Sequence, residues 1–366
     1  MSRKHQHSTS ILFLTLPDCG FRGRLHPRWW SRTNVHVLRN GSVVTLFSLH
    51  FLTLCIAADH ALAFEVLTPS GNFVTANEVQ NRDLFWALKG GGPSTFGVVL
   101  SLTVKTHAEV PTAGIILNIN WTHTLDEDVF WKGVSAFHDL SNYWVDHGIF
   151  AYFELMPFRF HVQPIVGPNM TAAQLDEIAK PMFDRLNADN VPYEAVTKEY
   201  PTFYDLYIDM FEDEMSGSSV ITGGRILPRE DFVANATGIV DSYRSVTRDP
   251  AVFIIGHVVG PGRALPVVDN AIHPVWRNSS NFVILSYSVP TTASWDEKRA
   301  AEDRVTNVVN KALREAAPHG GAYVNEVCPF QDTCEAFVPD SFDRAISKSQ
   351  TGKAPIGAQT MRGFTV

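Results

Sequence analysis

The chain has 366 residues, 45% hydrophobic and 19% charged, a profile that excludes a disordered or fibrous protein and leaves room for two domains. Its formal net charge of -8 repels a phosphate backbone, and no nucleic-acid motif surrounds the basic stretch 22–39, so no nucleic-acid partner is expected. Cys19, Cys55, Cys328 and Cys334 form no CxxC, so no zinc cluster, other metal set or redox dithiol is signalled; Cys328 and Cys334 are near enough for a small disulfide, with free thiols the equal alternative.

Residues 1–56 sustain neither the helical nor the strand period and read as an atypical, poorly ordered or misread segment. The apolar run 11–16 is ended by Pro17 and makes no credible signal peptide, although N-x-S/T acceptors at Asn40, Asn120, Asn169, Asn235 and Asn278 are compatible with a secretory history. Residues 40–58 carry no formal charge and approach membrane-spanning length, but Ser, Thr, His and Asn interrupt them. A buried or misread segment is therefore expected there, a membrane anchor is the alternative, and the compartment stays open.

From Ala57 the character changes. Residues 62–67 and the run starting at Phe73 flank Pro69-Ser70-Gly71 as a hairpin. A short helix over 81–88 breaks at Gly90, Gly91, Gly92 and Pro93, and 96–104 reads as a strand. Beyond 112, strands alternate with capped helices. Thr124 to Glu127 and Thr171 to Gln174 have the pattern of capping boxes, Pro181 is expected to kink the second helix, and Gly148 to stop the first. Strands follow over 151–160, 162–166, 218–227, 251–259 and 282–289, with helices over 230–246 and from Ser294 to about Leu313. Long helices with separated strands predict an α+β fold, an antiparallel or mixed sheet with helices on one face.

The glycine cluster follows a helix and enters a strand, the wrong order for a Rossmann loop, and it lacks the Lys-Ser/Thr ending of a P-loop. Without Cβ atoms it allows main chain to approach a flat group or an anion; a tight crossover where only glycine packs is the equal reading. Arg159, His161 and Gln163 alternate onto one face of a strand, opposite Phe158, Phe160 and Val162. His257 reads as a satisfied interior histidine, and Tyr204, Tyr207, Met210 and Phe211 as core or an aromatic wall. His273 and Trp276 show no partner pattern.

The runs AADHALAFEV (57–66) and DLFWALKGGGPSTFGVV (83–99) resemble the second half of the FAD domain of the berberine-bridge-enzyme-like oxidoreductases, within the vanillyl-alcohol-oxidase superfamily with PCMH-type FAD domains. Residues 323–326, Tyr-Val-Asn-Glu, are similar to the motif by which those chains return to the flavin. The resemblance covers about 57–330. It implies a second-lobe remnant of the FAD domain (57–111), a substrate domain with an antiparallel sheet backed by helices (112–318), a return segment (319–338) and a loose tail (339–366). It also implies FAD contacts from Asp59, Gly90, Gly91, Gly92, Thr95, Phe96, Gly97, Val98 and Asn325, with Tyr323 and Glu326 as the catalytic candidates. Arg159, His161 and Gln163 are weaker substrate-lining candidates. Tyr323 and Asn325 share one side of an extended chain while Glu326 points to the other, so a base role for Glu326 needs a local rotation.

The activity implied is oxidation of a small metabolite, for example in alkaloid or other secondary metabolism, by hydride transfer to flavin with O2 as the expected acceptor. The histidine of a glycine-rich turn and the Cys-x-x-Val-Gly-like segment that attach flavin covalently in family members have no counterpart here. A truncated, inactive remnant unable to hold FAD, exposing apolar surface, is one alternative reading; a membrane-associated protein without enzymatic activity is the other.

Overall fold

The computed structural model describes residues 8–12, 56–91, 96–105, 108–124, 126–212, 220–261 and 268–323. The acceptor Asn40, all four cysteines, the tail and nearly all of 40–58 lie outside them. Among the described residues no helix is long and apolar enough to cross a membrane.

A small antiparallel sheet is built from β1 (Ser8–Leu12), β2 (Ala61–Leu67), β3 (Phe73–Asn77) and β4 (Val98–Lys105), in the order β1-β4-β2-β3. The β2–β3 hairpin closes as expected on Gly71, whose φ of 81° lies in the left-handed region that glycine adopts freely. Phe64, Val66 and Ala76 on one face of the sheet pack against Leu84, Phe85 and Leu88 of α1 (Arg82–Leu88). One difference from expectation is β1, which lies inside the segment 1–56. Five residues are too few for a strand period to show; their pairing to the edge of β4 is a tertiary event.

The larger sheet has seven antiparallel strands in the order β8-β5-β7-β6-β10-β11-β9. They are β5 (Thr112–Asn120), β6 (Phe150–Met156), β7 (Arg159–Pro168), β8 (Glu194–Tyr200), β9 (Val220–Pro228), β10 (Val252–Val258) and β11 (Ser279–Ser288). Alternation divides its side chains between two faces. Ile115, Leu117, Phe153, Leu155, Phe160, Val162, Ile254, Val283 and Leu285 join the main core. They meet α3 (Glu127–His138), α5 (Ala172–Ala188), α7 (Arg229–Val246) and α9 (Asn310–Ala316). Phe150, Tyr152, Ile226 and Phe282 belong to a second cluster with Leu206 and Met210 of α6 (Phe203–Met210). Burying each large apolar side chain contributes roughly 1.5–3 kcal/mol, so the helix-covered face dominates stability.

Three local expectations are corrected. A single turn, α2 (Trp121–Thr124), occupies the residues before α3 and engages the Thr124 hydroxyl with the Trp121 carbonyl, so Asp126 becomes the N-cap and accepts from the Asp128 amide at 2.8 Å. The expected single helix to Gly148 is two, α3 and α4 (Ser141–Asp146), while Gly148 ends the second at φ 69°. Helix α5 runs unbroken through Pro181, which sits on its exposed side, where water can take the carbonyl bond that proline cannot make. The interrupted helix is instead α7, at Asn235, whose amide donates to the Ala316 carbonyl at 3.0 Å. The capping boxes of α5 at Thr171 and of α8 (Trp295–Arg304) at Ser294 are complete.

Candidate functional site

The face of the seven-stranded sheet away from the main helix layer carries the polar groups. At its middle, His257 of β10 lies between Tyr152 of β6 and Phe282 of β11 in register. Its ring stacks on Phe282 (6.0 Å, 8° between planes) and meets the edge of Tyr152 at 5.2 Å. His257 is interior, as the sequence suggests, but not satisfied: both ring nitrogens are buried without a hydrogen-bond partner among the described residues. Burial pushes its pKa down to about 4, so at neutral pH it is an uncharged imidazole with one donor and one acceptor unspent.

Beyond β6 on the same sheet, Arg159 donates to the Asn118 side chain on β5 (3.3 Å from one Nη) and His161 is hydrogen-bonded to Gln163. Burial also lowers the pKa of His161, whose Nε2 is 4.0 Å from Glu212. The alternation read from the sequence holds for Phe160 and Val162, which enter the core. Phe158 does not: it is exposed in the turn between strands, where it stacks on Trp121 at 5.0 Å. Tyr207 and Phe211 pair at 5.2 Å beside α6, and Phe211 reaches Phe150.

Residues 268–278 pack against this face. Trp276, in a short 3-10 turn (Pro274–Asn278), meets Phe282 at 5.4 Å. Tyr323 stands edge-on to both, 5.7 Å from Trp276 and 5.5 Å from Phe282. Its approach is fixed by main-chain bonds between Gly321 and Ile226 and by Arg225, which donates to the carbonyls of Ala317 (2.7 Å) and Pro318 (3.1 Å). The glycine bend rests on the same segment. A Cβ on Gly90, whose φ is 113°, would lie 2.6 Å from the Ile272 side chain, and one on Gly91 would lie 3.2 Å from the Ala271 Cβ. Gly97 is pressed against the Leu67 carbonyl, Phe96 is buried in the small lobe's core, and Val98 is exposed. The side chain of Asp59 is buried and ion-paired with Arg277 at 2.5 Å. Gly92, Thr95, Asn325 and Glu326 lie outside the described residues. The bend and Tyr323 thus converge on 271–276, above the face that bears His257.

No family model matches the chain. Among curated proteins, the FAD-linked oxidoreductase ZEB1 of Gibberella zeae is 34% identical over 275 residues, 74% of this chain and 48% of that protein. The FAD-linked oxidoreductase sor8 of Hypocrea jecorina is 32% identical over 273 residues, 74% of this chain and 46% of that protein. Among solved structures, the VAO-type flavoprotein MtVAO615 from Myceliophthora thermophila C1 has the same fold at a TM-score of 0.76 and 24% identity, over 85% of this chain and 57% of that one. The Physcomitrella patens BBE-like 1 protein aligns at 0.65 and 16%, over 85% and 68%. The chain belongs to the FAD-linked oxidoreductases and has the fold of VAO-type and BBE-like flavoproteins. It spans about half the length of the curated relatives it matches.

The sequence carries the family resemblance but gives no reading of the contacts made by 268–278 or of the unspent nitrogens of His257. The available signal was Asp269-Asn270 and Pro274, turn formers that lead into an aromatic and a cation, Trp276 and Arg277. Lys89, just before the glycines, was also overlooked. It is buried against Phe85, and burial lowers its pKa against the pull of Asp59 and Glu78.

Proposed function

We propose that the chain forms the substrate-facing part of an FAD-linked oxidoreductase that oxidises a small metabolite of fungal secondary metabolism, with O2 as electron acceptor. The observation that carries this reading is the convergence of the glycine bend and Tyr323 on one segment, over a sheet face whose central imidazole has two unspent nitrogens. A buried polar atom without a partner costs about 1–3 kcal/mol, and a flat heteroaromatic ring with donors and acceptors at its edge would relieve that cost. The ring end of FAD therefore fits this chain. Protein already occupies the Cβ space of Gly90, Gly91 and Gly97; the contacts proposed for the dinucleotide, on the family resemblance, are the main chain of Gly90 to Gly92 with Thr95, Phe96, Gly97, Val98 and Asn325.

When bound, FAD would supply the hydride acceptor; the protein's task is to place the substrate carbon and move a proton. Tyr323, held edge-on by two aromatic rings, is the described candidate for that proton, with Glu326 following it in the chain. Arg159, His161 and Gln163 would line the substrate side, where a neutral His161 offers a hydrogen bond without demanding an anion. Purified chain should be yellow or quench the fluorescence of added FAD, and reduction by substrate should be followed by peroxide release in air. A soluble, folded, colourless protein that takes up no FAD overturns the proposal in favour of an inactive remnant. Flavin reduction without peroxide would keep the oxidoreductase and discard O2.

A further inference from the structure

We infer that Asp59 and Arg277 are a positioning pair that sets the glycine bend against residues 268–278, and that Asp59 acts through Arg277 rather than by touching a cofactor. The carboxylate of Asp59 already receives three donors. One Arg277 nitrogen donates to Oδ2 at 2.5 Å, the other to Oδ1 at 2.9 Å, and the Asn270 amide donates to Oδ1 at 2.6 Å. Asn270 closes the circuit by accepting from Arg277 at 3.1 Å, and the Val268 carbonyl takes a further bond from the same nitrogen at 3.1 Å. The Asp59 side chain is 2% exposed and that of Arg277 18%. A bidentate guanidinium–carboxylate pair fixes direction as well as distance, and breaking a buried one strands a charge.

The same few residues hold the bend. The Trp86 indole donates to Asp269 at 2.9 Å, Ala271 lies under Gly91 and Ile272 under Gly90. Ile56, three residues before Asp59, is buried in the cluster of the sheet face. At the other end of the segment, Trp276 carries the contact to Tyr323. The ion pair therefore sits between the two parts of the chain that the proposed function brings to one flavin, and it sets their separation. Apolar packing alone would tolerate a slide of the α1 lobe along 268–278; a two-pronged charge pair does not.

The test is hydrogen exchange followed by mass spectrometry on the full chain, comparing wild type with Asp59→Asn, Arg277→Met, Arg277→Lys and the double Asp59→Asn/Arg277→Met. Amides in 84–91 and 268–278 should exchange about tenfold faster in both disruptive single variants, with those of α5 unchanged. Arg277→Lys should recover part of the protection, and the double variant should be little worse than either single. Unaltered exchange at the bend, a uniform rise across the chain, or additive effects in the double variant each overturn the pair. The inference rests on the FAD reading only in a second measurement, FAD titration. There, Arg277→Met should weaken uptake as much as Asp59→Asn. Loss in Asp59→Asn alone would make the carboxylate a direct contact and overturn the indirect role, whereas a wild type that takes up no FAD sinks the functional reading and leaves exchange to decide the pair.

Discussion

Imidazoles at three places in the molecule titrate in opposite senses. Burial holds His257 down to about 4 and His138 down to about 3, below the ordinary 6.5. The unfolded chain therefore takes up protons that the native state refuses as pH falls below 6.5, and stability from this source, complete above that value, drains away on acidification. For His257 the loss on reaching pH 4 is on the order of 3 kcal/mol. The hydrogen bond to Asp231 raises His319 instead, so its contribution is complete below 6.5 and disappears as pH climbs through the raised value. His257→Phe should consequently flatten the acid limb of the denaturation midpoint against pH while leaving neutral stability equal or higher, since it removes two unsatisfied nitrogens from an aromatic cluster. An acid limb as steep as that of the wild type would contradict the burial account. Glycines allow a second comparison at this scale. Gly90 and Gly148 both have positive φ, but only Gly90 faces a neighbour, so Gly90→Ala should cost several kcal/mol and Gly148→Ala about 1 kcal/mol in urea unfolding.

Helix starts show how far local chemistry reaches. Thr171 and Ser294 make their capping boxes as the sequence pattern requires, and alanine at either should cost about 1 kcal/mol. The Thr124 pattern is as good on paper, yet the preceding strand ends in a turn of its own and passes the cap to Asp126. Asp126→Ala should therefore destabilise more than Thr124→Ala; equal thermal shifts would argue that the two share the cap. Pro181 and Asn235 make the same point in reverse. The proline that should have broken a helix sits where solvent repairs the missing bond, and the break falls at an asparagine bonded to α9, a partner distant in sequence.

At the scale of the whole molecule, one sheet is covered and the other is half open. Leu67, Phe73 and Val98 are register neighbours in the small sheet and all are exposed, an apolar strip on the side away from α1. Replacing the three with threonine should reduce aggregation in light scattering without shifting the main unfolding transition, which the seven-stranded sheet and its helices dominate. A lowered transition would mean that the strip is packed in solution.

By itself the sequence determined most of the helices and strands and the family, because periodicity, caps and the run around the glycines are local or nearly so. Only the tertiary structure decided what those residues face. The bend at Gly90 and Gly91 meets Ile272 and Ala271, Asp59 meets Arg277, and His257 is left with nothing to bond. Each of these joins positions far apart in the chain, or depends on partners that are missing from the neighbourhood, and neither leaves a trace in the spacing of residues.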